Sequence, residues 1–189
     1  LAYKVYFKQK VLIMKFISFL HDSKAKFGIL NKDKITDLTD KISGASTLKD
    51  LILKKGISEA KKFASENTGK LNLNEIEYLP VIPNPGKIIC VGLNYSEHVK
   101  ETNRTVEENP VVFHRFPESQ TAHLQAIQRP IVSHSLDYEG EMAVIIGEGG
   151  KHIKPEEALK HIIGYSCYNE STIREWQRHT RQFGMGKNF

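Results

Sequence analysis

The segment Asp137–Gly147 is the feature that most restricts how this chain can fold. Its second half is apolar and β-branched, and glycines follow at positions 147, 149 and 150, so we predict a strand that ends in a tight hairpin turn. Its first half carries Glu139 and Glu141 on either side of a glycine. Because side chains two apart on a strand point to the same face, these two carboxylates are expected to project together.

The paired carboxylates indicate a cation site without establishing one. Two like charges side by side repel, and a divalent cation offsets that cost; ligation by oxygen alone favours magnesium, manganese or calcium. Glu170 follows the predicted strand Tyr165–Tyr168 and is a candidate third oxygen ligand. Glu-x-Glu is also a common pattern at solvated strand ends, so two exposed glutamates remain an alternative when the residues are considered alone.

Composition describes an ordinary globular protein of one domain with a smaller appendage. The 189 residues are 40% hydrophobic and 26% charged, with a formal net charge of +5. The lysines form no basic face interleaved with aromatic residues and no apolar run reaches membrane-spanning length, so we predict neither a nucleic-acid partner nor a membrane partner. Cys90 and Cys167 lie in apolar, strand-like runs, which predicts buried thiols and a reducing, cytoplasmic location.

Changes in composition along the chain divide it into four parts. Residues 1–13 precede Met14 and are interpreted as a translated leader or an artefact of the gene model. Residues 14–78 predict a small α+β domain of short strands in hairpins, with helices at Ser46–Leu53 and Ser58–Ser65. Residues 79–86 contain three prolines and predict a stiff linker. Residues 87–189 then form the main domain.

The main domain is predicted to be built chiefly from short strands. A helix with proline in its first turn is expected at Pro155–Ile163, ended by Gly164. The loop from His114 to Gln125 is expected to join two of the strands. The predicted strands beside the central one are Lys87–Val91, Val111–Phe113, Pro130–Ser133 and Tyr165–Tyr168.

Two short helical segments carry further candidate residues. Ser96 is expected to cap a helix that brings His98 and Glu101 onto one face, three residues apart. A carboxylate beside an imidazole raises its basicity, which suits a general base, although a chance pair on a surface helix is the alternative. After Glu170, Arg174 and Gln177 are also three apart and share a helical face.

Four ordered motifs together resemble the fumarylacetoacetate hydrolase (FAH) family. They are Lys87–Tyr95 with His98 and Glu101, Asp137–Glu141, Gly164–Gln177, and Gly186–Phe189. The resemblance implies an α+β, mainly β fold, namely an FAH-type mixed β-roll that this chain builds only in part, preceded by the small N-terminal domain. It also favours the metal-site interpretation of the carboxylates over the solvated one.

The resemblance further implies a role for each candidate residue. Mg²⁺ or Mn²⁺, with Ca²⁺ as a third option, would be held by Glu139, Glu141 and Glu170. His98, oriented by Glu101, would activate water. Lys187 would stabilise the charge of an enolate. The residues implied to bind or orient substrate are Tyr95, Arg174 and Gln177.

The activity implied is metal-dependent hydrolysis of a carbon–carbon bond in an acylpyruvate or another small diketo acid. A decarboxylase, isomerase or hydratase of 2-oxo acids with the same fold is an alternative, and a non-catalytic remnant is another. The resemblance also implies a homodimer.

Three positions depart from the family pattern. Glu170 stands where the family usually has Asp, and its extra methylene favours calcium, manganese or a water-mediated contact over a strict magnesium octahedron. Leu124 and its neighbours replace glycines around His123, and Leu124 is expected to stiffen or crowd the pocket mouth. The chain ends at Phe189, where family members continue with further strands, so a truncated chain is expected.

Overall fold

The computed structural model describes residues 14–95 and 109–189, and their fold is α+β and mainly β, as predicted. The described strands are β1 Lys15–His21, β2 Lys24–Asn31, β3 Lys34–Asp37, β4 Leu71–Asn72, β5 Glu77–Tyr78, β6 Ile88–Gly92, β7 Val111–Arg115, β8 Leu136–Asp137, β9 Gly140–Ile146, β10 Ile162–Asn169 and β11 Thr172–Ile173. The described α-helices are α1 Leu48–Leu53, α2 Ile57–Glu66, α3 Arg174–Gln177 and α4 Gly184–Lys187.

The N-terminal part is a five-stranded antiparallel sheet covered by α1 and α2. The strand order is β4-β3-β2-β1-β5, and tight turns join β1 to β2 and β2 to β3, as the alternation of apolar runs and turn residues predicts. Thr47 caps α1 and exchanges hydrogen bonds with Asp50 in a capping box. The main buried cluster comprises Phe27, Ile29, Leu38, Ile42, Ala45, Leu48, Leu51, Ile52 and Ala60.

Residues 79–87, which include the predicted linker, form neither helix nor strand, but they are not a free connector. The Leu79 amide donates to the Ser18 carbonyl (3.0 Å), and the Ser18 hydroxyl donates to the Val81 carbonyl (2.8 Å). Val81 and Ile82 pack against the main buried cluster. The segment is therefore anchored on the N-terminal sheet, and a domain boundary at this position stays a prediction.

The second part consists of three antiparallel strand pairs: β6 with β7, β8 with β11, and β9 with β10. The central strand prediction holds, because residues 140–146 form β9 along its full apolar run. The expected tight turn after it is wrong: residues 147–161, including a 3₁₀ helix at Pro155–His161, join β9 to β10. The Gly147 amide donates to the His161 carbonyl (2.8 Å) and closes this longer connection.

The expected helix Pro155–Ile163 is also wrong in type and in its end. The proline-led turn is 3₁₀, and Ile162 already begins β10, where it pairs with Ile146. Gly164 lies inside β10 at a register shift and does not stop a helix. Two consecutive β-branched residues next to a partner strand gain more from pairing and packing than from continuing a helical turn.

Three smaller expectations fail for similar reasons. Residues 130–133 form a turn closed by the Ser133 amide on the Pro130 carbonyl, because proline removes a ladder donor and Ile131 is 95% exposed. His114 and Arg115, assigned to a loop, extend β7. Cys167 is exposed, because it lies on the outward face of β10, while Cys90 is half-buried.

Within the described ranges, no helix has the length and apolarity needed to span a bilayer.

Candidate metal centre

The three predicted metal ligands meet at one end of the β9–β10 pair. Glu141 lies on β9, Glu139 just before it, and Glu170 just after β10. The Glu170 amide donates to the Glu139 carbonyl (2.8 Å), which continues the antiparallel pairing past the last assigned strand residues. Each of the three side chains offers an oxygen, and these atoms lie within 4.8 Å of one another.

Among the residues that the structure describes, Lys187 is the cation closest to this group of carboxylates. Its side chain is 2% exposed, and Nζ lies 2.9 Å from Glu139 Oε1 and 3.3 Å from Glu170 Oε2. Nζ also lies 4.9 Å from the centre of the Phe113 ring, within the range of a cation–π interaction. A cation this deeply buried is stable because two carboxylates and an aromatic face replace its water.

The surroundings shift the pKa values of Glu139 and Glu141 in opposite directions, although these residues are only two positions apart. Burial acts to raise the pKa of Glu139, but hydrogen bonds from Thr172 and Lys187 and the charges of Lys187 and Arg174 lower it below its usual range. Burial raises the pKa of Glu141, the hydrogen bond from Tyr95 opposes that rise, and the charges of Glu170 and Glu139 add to it. A divalent cation would relieve this repulsion at Glu141.

The Arg174 guanidinium contacts three protein groups. Its guanidinium contacts Asp137 Oδ2 at 2.8 Å and Glu139 Oε1 at 3.0 Å, and it donates to Gln177 Oε1 at 3.1 Å. The predicted shared face of Arg174 and Gln177 on α3 is therefore realised. The Arg174 guanidinium therefore restrains the Glu139 carboxylate, while its implied role in substrate binding stays a prediction.

The remaining predicted residues lie at the exposed edge of the centre or outside the described ranges. The Tyr95 hydroxyl donates to Glu141 Oε2 at 3.2 Å. His98 and Glu101 fall within residues 96–108, which the structure does not describe, so their predicted general-base role stays a prediction. Leu124 is 82% exposed and adopts a left-handed backbone (φ 65°), the conformation that glycine favours at such a position.

Residues 87–189 match the family described as fumarylacetoacetate (FAA) hydrolase C-terminal, over more than half of the chain. The chain belongs to the FAA hydrolase family. This confirms the family resemblance carried by the four motifs. The roles of the individual residues stay predictions.

Members of the FAA hydrolase family with different activities are similar to this chain. The mitochondrial oxaloacetate tautomerase fahd2 of Xenopus laevis is 36% identical over 135 residues, which cover 70% of this chain and 42% of that protein. The solved fumarylacetoacetate hydrolase EaFAH from psychrophilic Exiguobacterium antarcticum is 30% identical, with a TM-score of 0.72, and the match covers 94% of this chain and 62% of that one. The FAH-type fold is thereby confirmed, and the chain spans less than half of the Xenopus relative.

A third relative shows the shared fold at lower identity. The crystal structure of maleylpyruvate hydrolase from Sphingobium sp. SYK-6, solved with manganese(II) and pyruvate, is 19% identical with a TM-score of 0.66. The match covers 93% of this chain and 63% of that one. The two solved structures therefore share the architecture of this chain, and the names of the three proteins describe different reactions.

Two residues that contact the candidate metal centre were not anticipated from the sequence. Thr172, fully buried on β11, donates its hydroxyl to Glu139 Oε1 at 2.6 Å. Arg115, 7% exposed at the end of β7, places Nε 3.3 Å from Glu170 Oε1. A lone threonine or arginine in a strand belongs to no motif. The one sign in the sequence was that Arg115 is charged although the alternation of side chains in β7 predicts that it is buried.

Cys90 is the thiol nearest to this centre, and its environment makes it weakly reactive. Burial, together with the charge of Glu170 and a hydrogen bond to it, raises the pKa of Cys90 to about 12. Because the thiolate is the nucleophile and the metal ligand, Cys90 stays protonated and weakly reactive.

The donor set suits a hard divalent cation. The candidate ligands are all carboxylates, one buried and two partly buried, and soft ligands are not among them. Among residues 14–95 and 109–189, four carboxylates at the centre (Glu139, Glu141, Glu170 and Asp137) face three cations (Lys187, Arg115 and Arg174), so the described side chains leave one negative charge in excess. The residues present therefore fit a cation such as Mg²⁺, Mn²⁺ or Ca²⁺.

Proposed function

We propose that the complete protein is a divalent-metal-dependent enzyme that hydrolyses a carbon–carbon bond in a small diketo acid. The observation that carries the proposal is the meeting of three carboxylates within 4.8 Å beside the buried amine of Lys187. When bound there, a Mg²⁺ or Mn²⁺ ion supplies Lewis-acid stabilisation to substrate oxygens. The small 2-oxo or diketo acid is the proposed class of substrate.

The described residues have three separate tasks in this proposal. Glu139, Glu141 and Glu170 supply the oxygen donors that hold the cation. Lys187 presents a fixed positive charge beside them, because its amine is anchored on two of those carboxylates, and this charge favours an anionic, enolate-like reaction state. Arg174 keeps Glu139 in place and fixes the amide of Gln177 for a substrate contact.

The hydrolytic step itself depends on residues beyond the described ranges. We propose that His98, oriented by Glu101, removes a proton from water, which then attacks the carbonyl distal to the cation. The carbon–carbon bond breaks, the acyl group leaves as a carboxylic acid, and the electron pair stays on the 2-oxo acid as its enolate. Lys187 then stabilises that enolate before it takes up a proton.

Keto–enol tautomerisation of a 2-oxo acid is the second candidate, and the similarity to an oxaloacetate tautomerase favours it. It needs the same oxygen donors and Lys187, but no attacking water. Pyruvate release from an acylpyruvate separates the two activities, because tautomerisation moves a proton between carbon and oxygen and breaks no carbon–carbon bond, so a tautomerase would change the enol absorbance of oxaloacetate and release no pyruvate from an acylpyruvate. A decarboxylase is distinguished by release of carbon dioxide.

The first experiment is a Mn²⁺ titration monitored by thermal unfolding. Wild type should gain roughly 2.7 kcal/mol at a hundred times the dissociation constant. Glu139→Gln should lose this gain, and the exposed Glu59→Gln on α2 should keep it. A cooperative wild-type transition that Mn²⁺ does not shift would refute the metal-dependent enzyme and leave the non-catalytic remnant as the explanation.

Oligomeric state and compartment are proposals of the same kind. We propose a homodimer, which sedimentation equilibrium would test. The free cysteines support a reducing compartment such as the cytoplasm, whereas the name of the Xenopus relative describes that protein as mitochondrial. Fractionation of cells that express the complete protein distinguishes the two compartments.

A further inference from the structure

We infer that Arg115 is the positioning residue that sets the orientation of the Glu170 carboxylate, and with it the preference of the centre for one cation over another. This inference deepens the proposed metal-dependent function and rests on it. It concerns a residue that belongs to none of the four motifs.

The first argument is the way Arg115 spreads its guanidinium over three separate groups. Nε lies 3.3 Å from Glu170 Oε1, one terminal nitrogen donates to the Ser171 carbonyl at 2.5 Å, and the other donates to the Lys187 carbonyl. A planar guanidinium whose three nitrogens all have partners has little freedom to rotate. Arg115 therefore ties the end of β7 to the residue after β10 and to α4.

The second argument is that Glu170 depends on this contact for its orientation. Its side chain is 7% exposed, so water contributes little to holding it. Oε1 faces Arg115 and Oε2 faces Lys187 Nζ at 3.3 Å, so each oxygen has its own cation. Without the guanidinium on Oε1, the described partners that remain are Lys187 and the Cys90 thiol, which is a weak donor, so the carboxylate would turn more easily towards Lys187.

The third argument is the longer side chain at position 170. Glutamate has one more rotatable bond than aspartate, so a carboxylate at this position needs a fixed partner to occupy a single site. Strand β7 supplies that partner, because the inward residues Phe113 and Arg115 alternate along it: Phe113 lies under Lys187 and Arg115 lies against Glu170.

Orientation and charge have opposite effects on cation affinity, and a conservative variant separates them. Removing the positive charge of Arg115 would by itself favour a bound cation, whereas losing the fork would disfavour it. Arg115→Lys keeps the charge and cannot bond three groups in one plane. Any loss of cation affinity in Arg115→Lys is therefore caused by the changed orientation of the Glu170 carboxylate.

The test measures Mn²⁺ affinity from the electron paramagnetic resonance signal of free Mn²⁺, and Mg²⁺ and Ca²⁺ affinities by competition. Arg115→Lys should weaken Mg²⁺ and Mn²⁺ by about 10–100-fold, the usual effect of losing an outer partner of a metal ligand. The fold loss of Ca²⁺ affinity should be at least ten times smaller than that of Mg²⁺ affinity, because Ca²⁺ accepts irregular geometry whereas Mg²⁺ demands an octahedron. The exposed Arg181→Lys is the matched control and should change neither affinity.

A general structural role would lower all three affinities by the same factor, and this result, or unchanged affinities, would overturn the inference. If the lysine variant does not fold, Arg115→Gln is the second variant; it also removes the positive charge, which acts alike on all divalent ions, so a greater loss of Mg²⁺ affinity than of Ca²⁺ affinity is its expected result and equal changes would overturn the inference. Wild-type protein that binds none of the three ions would instead refute the proposed function.

Discussion

Replacing Gly186 with alanine should displace Lys187 from the carboxylates, although position 186 carries no chemistry of its own. Gly186 is buried on α4 against the preceding segment, and a Cβ built on it would lie 2.3 Å from the Gln177 nitrogen and 2.4 Å from the Ile173 oxygen. Both neighbours are backbone atoms, which cannot rotate aside. Ordinary contact needs 3.4 Å or more, so α4 would have to move by about 1 Å.

That displacement is large compared with the contacts of the next residue. Lys187 Nζ now lies 2.9 Å from Glu139 and 3.3 Å from Glu170, so a shift of about 1 Å takes both pairs to about 4 Å, beyond hydrogen-bonding distance. Overpacking typically costs about 1–3 kcal/mol, and a weakened buried charge pair adds to it. We expect Gly186→Ala to lower the free energy of unfolding by about 2–4 kcal/mol.

Urea unfolding monitored by tryptophan fluorescence measures the change, with Gly184→Ala as the control on the same helix. Space is open around Gly184, since a Cβ there would have no neighbour within 4 Å, so its substitution should be neutral or slightly stabilising. If both variants unfold at the same urea concentration and bind Mn²⁺ equally well, close backbone approach does not position Lys187.

Three further predictions concern the N-terminal part. Leu51→Ala should lower the free energy of unfolding in urea by about 2–5 kcal/mol, because Leu51 is fully buried in the main cluster and its removal leaves a cavity; a loss below about 1 kcal/mol would contradict this packing. Thr47→Ala should cost about 1 kcal/mol in the same assay, since it removes the capping box with Asp50, and an unchanged midpoint would show that the cap is dispensable. Burial acts to raise the pKa of Asp37, but hydrogen bonds from Lys26 and Thr39 hold it below the usual value of 3.8. Asp37→Asn should therefore lower the free energy of unfolding by about 0.5–1 kcal/mol at neutral pH. In a pH series of urea melts, the difference between the two proteins should be fully present above pH 3.8 and should shrink as the pH falls below it.

Elements whose determinants lie close together in sequence were predictable. The hairpins of β1, β2 and β3 follow from apolar runs separated by turn residues, and α1 follows from a cap and a nearby acidic residue. Local bonding suffices for such elements, because each partner lies within a few positions. The same reasoning fails for Ile162, whose strand conformation depends on Ile146 across the β9–β10 pair.

The candidate centre divides in the same way. The spacing of Glu139 and Glu141 is enough to predict two carboxylates on one face of a strand, and the order of the motifs adds Glu170 and Lys187. Neither spacing nor motif points to Arg115, which is 55 positions from the carboxylate it contacts, or to Thr172, which is 33 positions from Glu139.

The sequence by itself determined the family, the type of most strands and the kinds of donor atom that a cation would meet. Only the tertiary structure decided which charges neutralise one another, that Arg174 is occupied by Asp137 and Glu139, and that Arg115 holds Glu170. The physical reason is that strand periodicity and turn preference act over a few residues, whereas charges interact with whichever groups the folded chain brings within a few ångströms, at any separation in sequence.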